Sequence, residues 1–528
     1  MNKLFTLFTF CLLYACSQLA HAALDPALVR QLAAEDSSEK VSAIRQITQN
    51  ADNDAVRVLQ AMADDQLFLS ADTVVVFDGE NAFDAASGEP IKTPKQPESI
   101  IVNNRIRGEL ANALAALSLF NKDVSIRLAS AQELQTRVSP DIVPVLALAL
   151  SKETNGEVKA LLKLAHAQAN LGNADPAARL AAVRALSDAS SPVVRSALLP
   201  LTDKAKEPDN RVRFAAISAV KSISGRLELT ENLGRIFSGL SLGSILLLAA
   251  LGLAITYGVM GVINMAHGEL LMVGAYSAYA VQSVFRSYFP DAIDWYLPAA
   301  IPVAFFAAAL IGVVMERTVI RWLYGRALET LLATWGLSLV LIQAARVIFG
   351  AQNVEVSNPS WMSGGVELIP SLILPWNRII IIGFALFVLL LVWVLMNKTR
   401  LGMFVRAVTQ NRSMAGCVGV PTARIDTMAF ALGAGIAGLG GLALSQISNV
   451  GPDMGSGYIV DSFMVVVVGG VGQLAGAVWA ALGLGIFTKL LEGWAGAVIA
   501  KIAVLVFIII FIQKRPQGIF ALKGRVVE

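Results

Sequence analysis

Tyr257-Gly258-Val259-Met260-Gly261-Val262-Ile263-Asn264-Met265-Ala266-His267-Gly268-Glu269 interrupts the apolar half of this chain. Apolar stretches at about 237–256 and 263–284 adjoin it, each near the ~20 residues that a helix needs to cross a bilayer. The interruption holds Gly258, Gly261 and Gly268 together with the polar side chains of Asn264, His267 and Glu269. Polar groups inside a membrane are costly unless they find partners or water. Non-helical backbone is tolerated at that depth only where protein buries it or a cavity borders it. The segment therefore predicts a helical membrane bundle with a broken helix that lines or gates a pathway. Asn264 is equally explained as a cap for the next helix, and His267 as a donor to backbone.

Further apolar stretches follow at about 297–315, 328–349, 378–396, 426–448, 462–491 and 495–512. Lysine and arginine mark cytoplasmic loops. The 316–329 loop carries Arg317, Arg321 and Arg326. The 397–425 loop carries Lys398, Arg400, Arg406, Arg412 and Arg424 without an acid. The tail carries Lys514, Arg515, Lys523 and Arg525. All three are expected inside, and the loops at 285–296, 350–377 and 449–461 outside. An odd number of crossings must then separate 449–461 from the tail, but only two apolar stretches lie between. The first is interrupted at Gly469-Gly470-Val471-Gly472-Gln473. Residues 462–491 are accordingly expected to form a re-entrant or broken helix that does not fully cross, with Gly469, Gly470 and Gln473 in the pathway. Within the basic loop, 403–416 is expected to be one short helix along the membrane surface.

Composition agrees with a membrane half. Of 528 residues, 55% are hydrophobic and only 15% charged, and mean hydropathy is +0.62. A soluble domain carries about 25% charge, so one soluble globule is excluded, as is disorder. A net charge of +3 leaves no nucleic-acid footprint. The charge concentrates in 24–235. Ahead of it, Lys3, the apolar run 4–15 and Ala20-His21-Ala22 form the layout of a secretory signal peptide. The expected organisation is a signal peptide (1–22), an exported domain (23–235) and a transmembrane domain (236–528). After cleavage Cys417 is the one remaining cysteine, so no internal disulfide forms.

In the exported domain three stretches share a pattern in which Asp123, Asp175 and Asp209 precede Arg127, Arg179 and Arg213 by four residues, followed by small residues. Aspartate caps helix starts, and arginine one turn later can pair with it. The pattern resembles a HEAT-like helical repeat. Thr73-Val74-Val75-Val76-Phe77 before Asp78-Gly79 predicts a small β-hairpin over 71–93. The fold class is thus all-α: a polytopic bundle with broken or re-entrant helices behind a mostly helical domain. No nucleophile–base pair, metal-ligand spacing or phosphate-cradling loop occurs, so no catalytic residue, metal or cofactor is expected.

Several ordered motifs resemble the branched-chain amino acid-type ABC transporter permeases: Gly243-Ser244-Ile245, Tyr257-Gly258 with Ile263–Glu269, Leu401–Ala407 with Gln410-Asn411 and Gly419-Val420, Val466–Gly472 with Gly476-Ala477, and Arg515–Phe520. The resemblance covers about 236–521. It implies an inner-membrane importer subunit, with Gly402, Arg406, Ala407, Gln410 and Gly419 in the loop that couples to ATPases. It implies a second permease subunit, two cytoplasmic ATPase subunits and a periplasmic substrate-binding protein as partners, besides membrane lipid and no nucleic acid. The long exported domain resembles the urea permease branch of the family, which implies urea as solute; another amino acid or amide, or passive urea flow through a channel, are the alternatives. A membrane-anchored interaction protein whose repeat domain does the work is a further one.

Overall fold

The computed structural model describes residues 24–520 except 51–52, 71–72, 80, 95–96, 137–139, 370, 471 and 516. The expected signal peptide lies outside the described residues. The chain divides into two compact units, Met1–Leu227 and Glu228–Glu528.

In the first unit, helices α1 (Pro26–Gln31), α2 (Ser37–Asn50) and α3 (Asn53–Ala63) precede a sheet, and α4 (Asn104–Ser118), α5 (Val124–Thr136), α6 (Val143–Lys152), α7 (Gly156–Ala169), α8 (Pro176–Leu186) and α9 (Pro192–Leu198) follow it. The sheet is larger than the expected hairpin. It has five antiparallel strands, β1 (Leu67–Ser70), β2 (Thr73–Asp78), β3 (Asn81–Asp84), β4 (Pro90–Ile91) and β5 (Glu98–Ser99), in the order β4-β3-β2-β1-β5. Gly79 turns the predicted hairpin with a φ of +62°, pairing Asp78 with Asn81. What extends it is Leu67-Phe68-Leu69, which buries Leu67 and sets Phe68 edge-on to Phe77 at 5.0 Å.

The aspartates of the repeated pattern do cap: Asp123 accepts from the Ser125 amide, Asp175 from Ala177 and Asp209 from Arg211. The arginines, however, do not pair with them. Arg127 Nε donates to Glu153 at 2.8 Å and Arg179 Nε to Glu207 at 2.7 Å, 26 and 28 residues away. Each also holds two carbonyls of the loop before its helix, Asn121 and Lys122 or Asn173 and Ala174. The glutamates are buried, at 3% and 1% side-chain exposure. Distance decides the pairing: an aspartate occupied by capping amides is too short to reach the guanidinium as well, whereas a glutamate from a neighbouring loop meets it end-on in both nitrogens.

The arginines' hydrogen bonds hold the carboxyls of Glu153 and Glu207 below their usual value of 4.5, outweighing burial, which pushes the other way. A depressed carboxylate stabilises the fold above the unfolded value and ceases to as pH falls through the folded one. The melting temperature of this unit is therefore expected to fall by several degrees between roughly pH 5 and pH 3. In Arg179→Met the buried Glu207 loses its partner, and the local pH slope should reverse. Circular dichroism melts of the full chain in detergent, followed against pH, check both.

The second unit holds α10 (Asn210–Met260, which contains the unit boundary), α11 (His267–Tyr288), α12 (Tyr296–Thr318), α13 (Ala327–Phe349), α14 (Trp376–Lys398), α15 (Arg400–Gln410), α16 (Arg412–Cys417), α17 (Thr422–Ser445), α18 (Met454–Gly469), α19 (Leu474–Ala495) and α20 (Ala497–Lys514). A two-stranded sheet, β6 (Gly365–Ile369) with β7 (Leu372–Pro375), lies between α13 and α14. It is small, and the unit remains an all-α bundle otherwise. Among the described residues seven helices are long and apolar enough to cross a membrane: α10, α12, α13, α14, α17, α19 and α20.

α17 is the most enclosed, buried without a gap from Gly433 to Ser445. Its small residues let backbones meet. A Cβ on Gly433 would approach the Gly252 carbonyl of α10 to 2.6 Å, and one on Gly438 the Ala304 carbonyl of α12 to 2.6 Å. One on Gly441 would overlap the Leu271 carbonyl of α11.

Two expectations change here. Residues 462–491 are not one incompletely crossing helix: α18 ends at Gly469 and α19 is a span of its own. α18 starts at Met454, inside the stretch read as an outer loop, because Gly455–Asp461 winds helically and Asp461 finds Lys501 of α20 at 3.6 Å. Three helices thus follow residue 453, of which α18, at sixteen residues, is shorter than the seven spans. The basic loop forms two helices rather than one. Asn411 leaves helical angles at φ −152° and accepts from the Met414 amide, ending α15 and starting α16.

Candidate functional site

α10 stops where Gly261 takes a φ of +67°, a left-handed angle that favours glycine. Residues 261–264 have no regular secondary structure, 265–266 turn, and α11 begins at His267. Neighbours locate this segment. At its start Gly258 faces Gly472, just past the end of α18; a Cβ there would approach the Gly472 Cα to 3.1 Å. At its end Gly268 meets Gly455 in the first turn of α18, each position so close that a Cβ would overlap the other's carbonyl oxygen. Gly455 and Gly469 bracket α18, and the fourteen residue steps from one to the other rise about 21 Å. The segment therefore runs back beside α18 over most of the length of that helix. It is not a tight turn at one level.

Its polar groups are buried. Asn264 is 1% exposed; its Oδ1 accepts from the Ala266 amide at 3.0 Å, and its Nδ2 has no protein partner. His267 is fully buried, with Nε2 donating to the Ala249 carbonyl at 3.0 Å and Nδ1 unpartnered. That bond is the structural role expected for it. Glu269 is 1% exposed; its Oε1 accepts from Ser338 at 3.1 Å and from Ser456 at 3.2 Å, and its Oε2 has no partner. An unsatisfied buried polar group costs about 1–3 kcal/mol. Three of them within six residues call for a functional reason.

Facing them is a stripe of hydroxyls on α13. Thr330, Thr334 and Ser338 are buried at four-residue spacing on a helix that is otherwise largely exposed. Thr334 accepts from the Met265 amide at 3.1 Å. Ser338, Ser456 and Gly455 were not anticipated as site residues. The Thr-x3-Thr-x3-Ser spacing in an apolar helix is the signal that identifies the stripe, since helix residues four apart share a face; the α18 pair reads as loop.

At the other end of α18, Gly469 and Gly476 meet backbone to backbone, and a Cβ on Gly470, whose φ is +97°, would overlap the Phe520 carbonyl. Ile519 donates its amide to Val468 at 2.8 Å, tying the tail into this break. An open cleft of about 470 Å³ joins the break to the basic loop, with Gly258, Gln473, Asn397, Arg406 and Gln410 on its walls. Gln473, Arg406 and Gln410 are thus brought together; Asn264, His267, Gly268 and Glu269 form a separate cluster near the opposite end of α18.

In the loop, Thr399 caps α15 by accepting from the Gly402 amide, and a Cβ on Gly402 would overlap the Met396 carbonyl. Arg406 is exposed but not idle: it donates to the Met396 carbonyl at 2.7 Å, closing the end of α14. Ala407 packs half-buried against the membrane core. Gly419, exposed with a φ of +89°, turns the chain after α16. Beside it sits an unforeseen cluster. Arg412 pairs with Asp426, donates to the Tyr324 hydroxyl at 2.7 Å and stacks on that ring at 4.0 Å. The buried Glu316 accepts from Thr427 at 2.7 Å and lies 3.5 Å from Arg321. Together these tie the 319–326 loop to the 399–421 loop. Among the described residues no three His, Cys, Asp or Glu side chains converge as metal ligands.

A family described as branched-chain amino acid transport system, permease component, matches residues 235–513. The high-affinity branched-chain amino acid transport system permease protein LivH of Escherichia coli K12 is 29% identical over 294 residues, 54% of this chain and 94% of its own. The corresponding BraD protein of Pseudomonas aeruginosa is 26% identical over 298 residues, 55% of this chain and 96% of its own. No solved structure matches.

Proposed function

Because this chain belongs to the branched-chain amino acid transport system permease family, we propose that it is a translocating subunit of an ATP-driven importer in a bacterial inner membrane. The observation that carries this reading is the non-helical segment 261–266 beside α18, which together with the start of α11 buries Asn264, His267 and Glu269, each with one polar atom that the protein leaves unpartnered. The family match spans both breaks and the basic loop. In this reading the first unit and the 449–453 turn face outward, and the basic loops and tail face the cytoplasm. A second permease subunit completes the pathway, two ATPases dock on α15 and α16, and a substrate-binding protein delivers solute from outside.

The relatives' names favour a branched-chain amino acid over urea as the solute. The urea reading draws on the first unit: relatives matched over 94% and 96% of their own length cover only 54% and 55% of this chain. Uptake of labelled leucine and labelled urea by cells with and without the chain tests the proposal. ATP-dependent uptake of either supports an importer, and the solute taken up decides between them; urea uptake that persists after ATP depletion would make the protein a passive channel.

The coupling role of the basic loop has its own test. Arg406→Glu places a carboxylate against the Met396 carbonyl and reverses charge on the docking surface, where like-charge contact costs several kcal/mol. Co-purified ATPase and uptake are both expected to fall severalfold, and Arg406→Lys, which keeps charge and donor, should change little. Normal ATPase recovery with Arg406→Glu would leave Arg406 as a local anchor of α14.

A further inference from the structure

We infer that Glu269 holds the nitrogen-borne hydrogens of the solute during its passage, and that the Gly268–Gly455 contact is the closure that covers it; this rests on the transport reading above. Glu269 is a carboxylate among apolar helices, and among the described residues it forms no ion pair. Ser338 of α13 and Ser456 of α18 fix its Oε1 from two sides. A purely architectural carboxylate tying α11 to α13 and α18 explains those two bonds. It does not explain Oε2, which has no partner and lies so close over Gly455 that a Cβ there would come within 2.7 Å. A carboxylate can only accept hydrogen bonds unless it is protonated, so the group it waits for is a donor.

A second idle group stands nearby. Asn264 Nδ2 is a buried donor without a partner. The Met265 amide binds Thr334 and Glu269 binds Ser338, so the two sites rest on consecutive turns of α13, about 6 Å apart along its axis. One idle donor and one idle acceptor, in segments held on successive turns of α13, complement a small solute with a carbonyl or carboxylate at one end and N–H at the other. Amino acids and simple amides share that chemistry. In this structure the backbone contact between Gly268 and Gly455 closes over Oε2, and separation of α11 from the first turn of α18 would uncover it.

The test uses the whole transporter in cells, with leucine and urea as labelled probes and N,N,N-trimethyl-leucine and tetramethylurea as competitors. The wild type should discriminate strongly against the methylated competitor of whichever solute it carries. Glu269→Gln, which keeps shape and loses the charged acceptor, should raise KM at least tenfold and lose that discrimination at near-normal membrane abundance. Glu269→Asp, one methylene shorter, should raise KM and keep the discrimination. Should Glu269→Gln fail to accumulate, Glu269→Asp alone decides, and an unchanged KM overturns the assignment. Unchanged KM and discrimination in Glu269→Gln overturn it as well. ATP-dependent uptake of neither solute by the wild type would instead remove the transport reading itself.

Discussion

Gly268→Leu should abolish uptake, to below a hundredth of the wild-type rate, while the protein still inserts. The Gly268 Cα lies against the Gly455 carbonyl, and even a methyl group would overlap it. A leucine forces α11 and α18 apart or holds them in a geometry that cannot close. Overpacking of this kind costs about 1–3 kcal/mol and sometimes more. That is too little to keep a large membrane bundle from forming, but enough to displace the contact on which closure depends. Gly470→Leu should behave alike for two reasons: its φ of +97° disfavours any side chain, and the Phe520 carbonyl fills the space. Uptake and membrane abundance measured together separate the outcomes. Loss of both would mean that these glycines only pack helices. Normal uptake at normal abundance in both variants would remove the two breaks from the pathway.

Arg412→Met is expected to destabilise the membrane unit by about 3–5 kcal/mol, the range for removing one partner of a buried ion pair. Asp426 is 3% exposed and would lose both guanidinium hydrogen bonds. Arg412 is the more exposed partner at 34%, so Asp426→Asn should cost less. The double variant should recover much of the loss, because the penalty comes from the stranded carboxylate and not from the missing attraction. Thermal unfolding in detergent across the four proteins measures this coupling. Additive effects would show that Arg412 and Asp426 do not act as a pair.

Much of this was legible in the residues. The breaks at Gly258–Gly268 and Gly469–Gln473 stand out because glycine and polar residues disrupt otherwise apolar runs, and the basic loops stand out by charge alone. α18 was hidden. Gly455, Ser456, Gly457 and Asp461 read as loop, and only neighbours from α11 and α20 make a helix of them. The glutamates that meet Arg127 and Arg179 were equally hidden, since a pairing across 26 or 28 residues leaves no local period. β1 was missed because Leu67-Phe68-Leu69-Ser70 continues the apolar face of the preceding helix and becomes a strand only through its pairing with β2. Arg406 carries a contact that its charge did not signal: its guanidinium turns to its own chain.

The two serines that hold Glu269 also set a timetable for biogenesis. They lie 69 and 187 residues downstream of it. At about 5–20 residues per second, the ribosome reaches the second one some 10–40 s after it has added Glu269. Through that interval α11 must wait without one of its hydroxyl partners, and a helix start carrying Glu269 and His267 gains little by entering lipid alone. The helix at the heart of the site is thus a late arrival, threaded into place once α18 exists to receive it. A nascent chain halted before Ser456 would present an unfinished seam for membrane quality control to recognise.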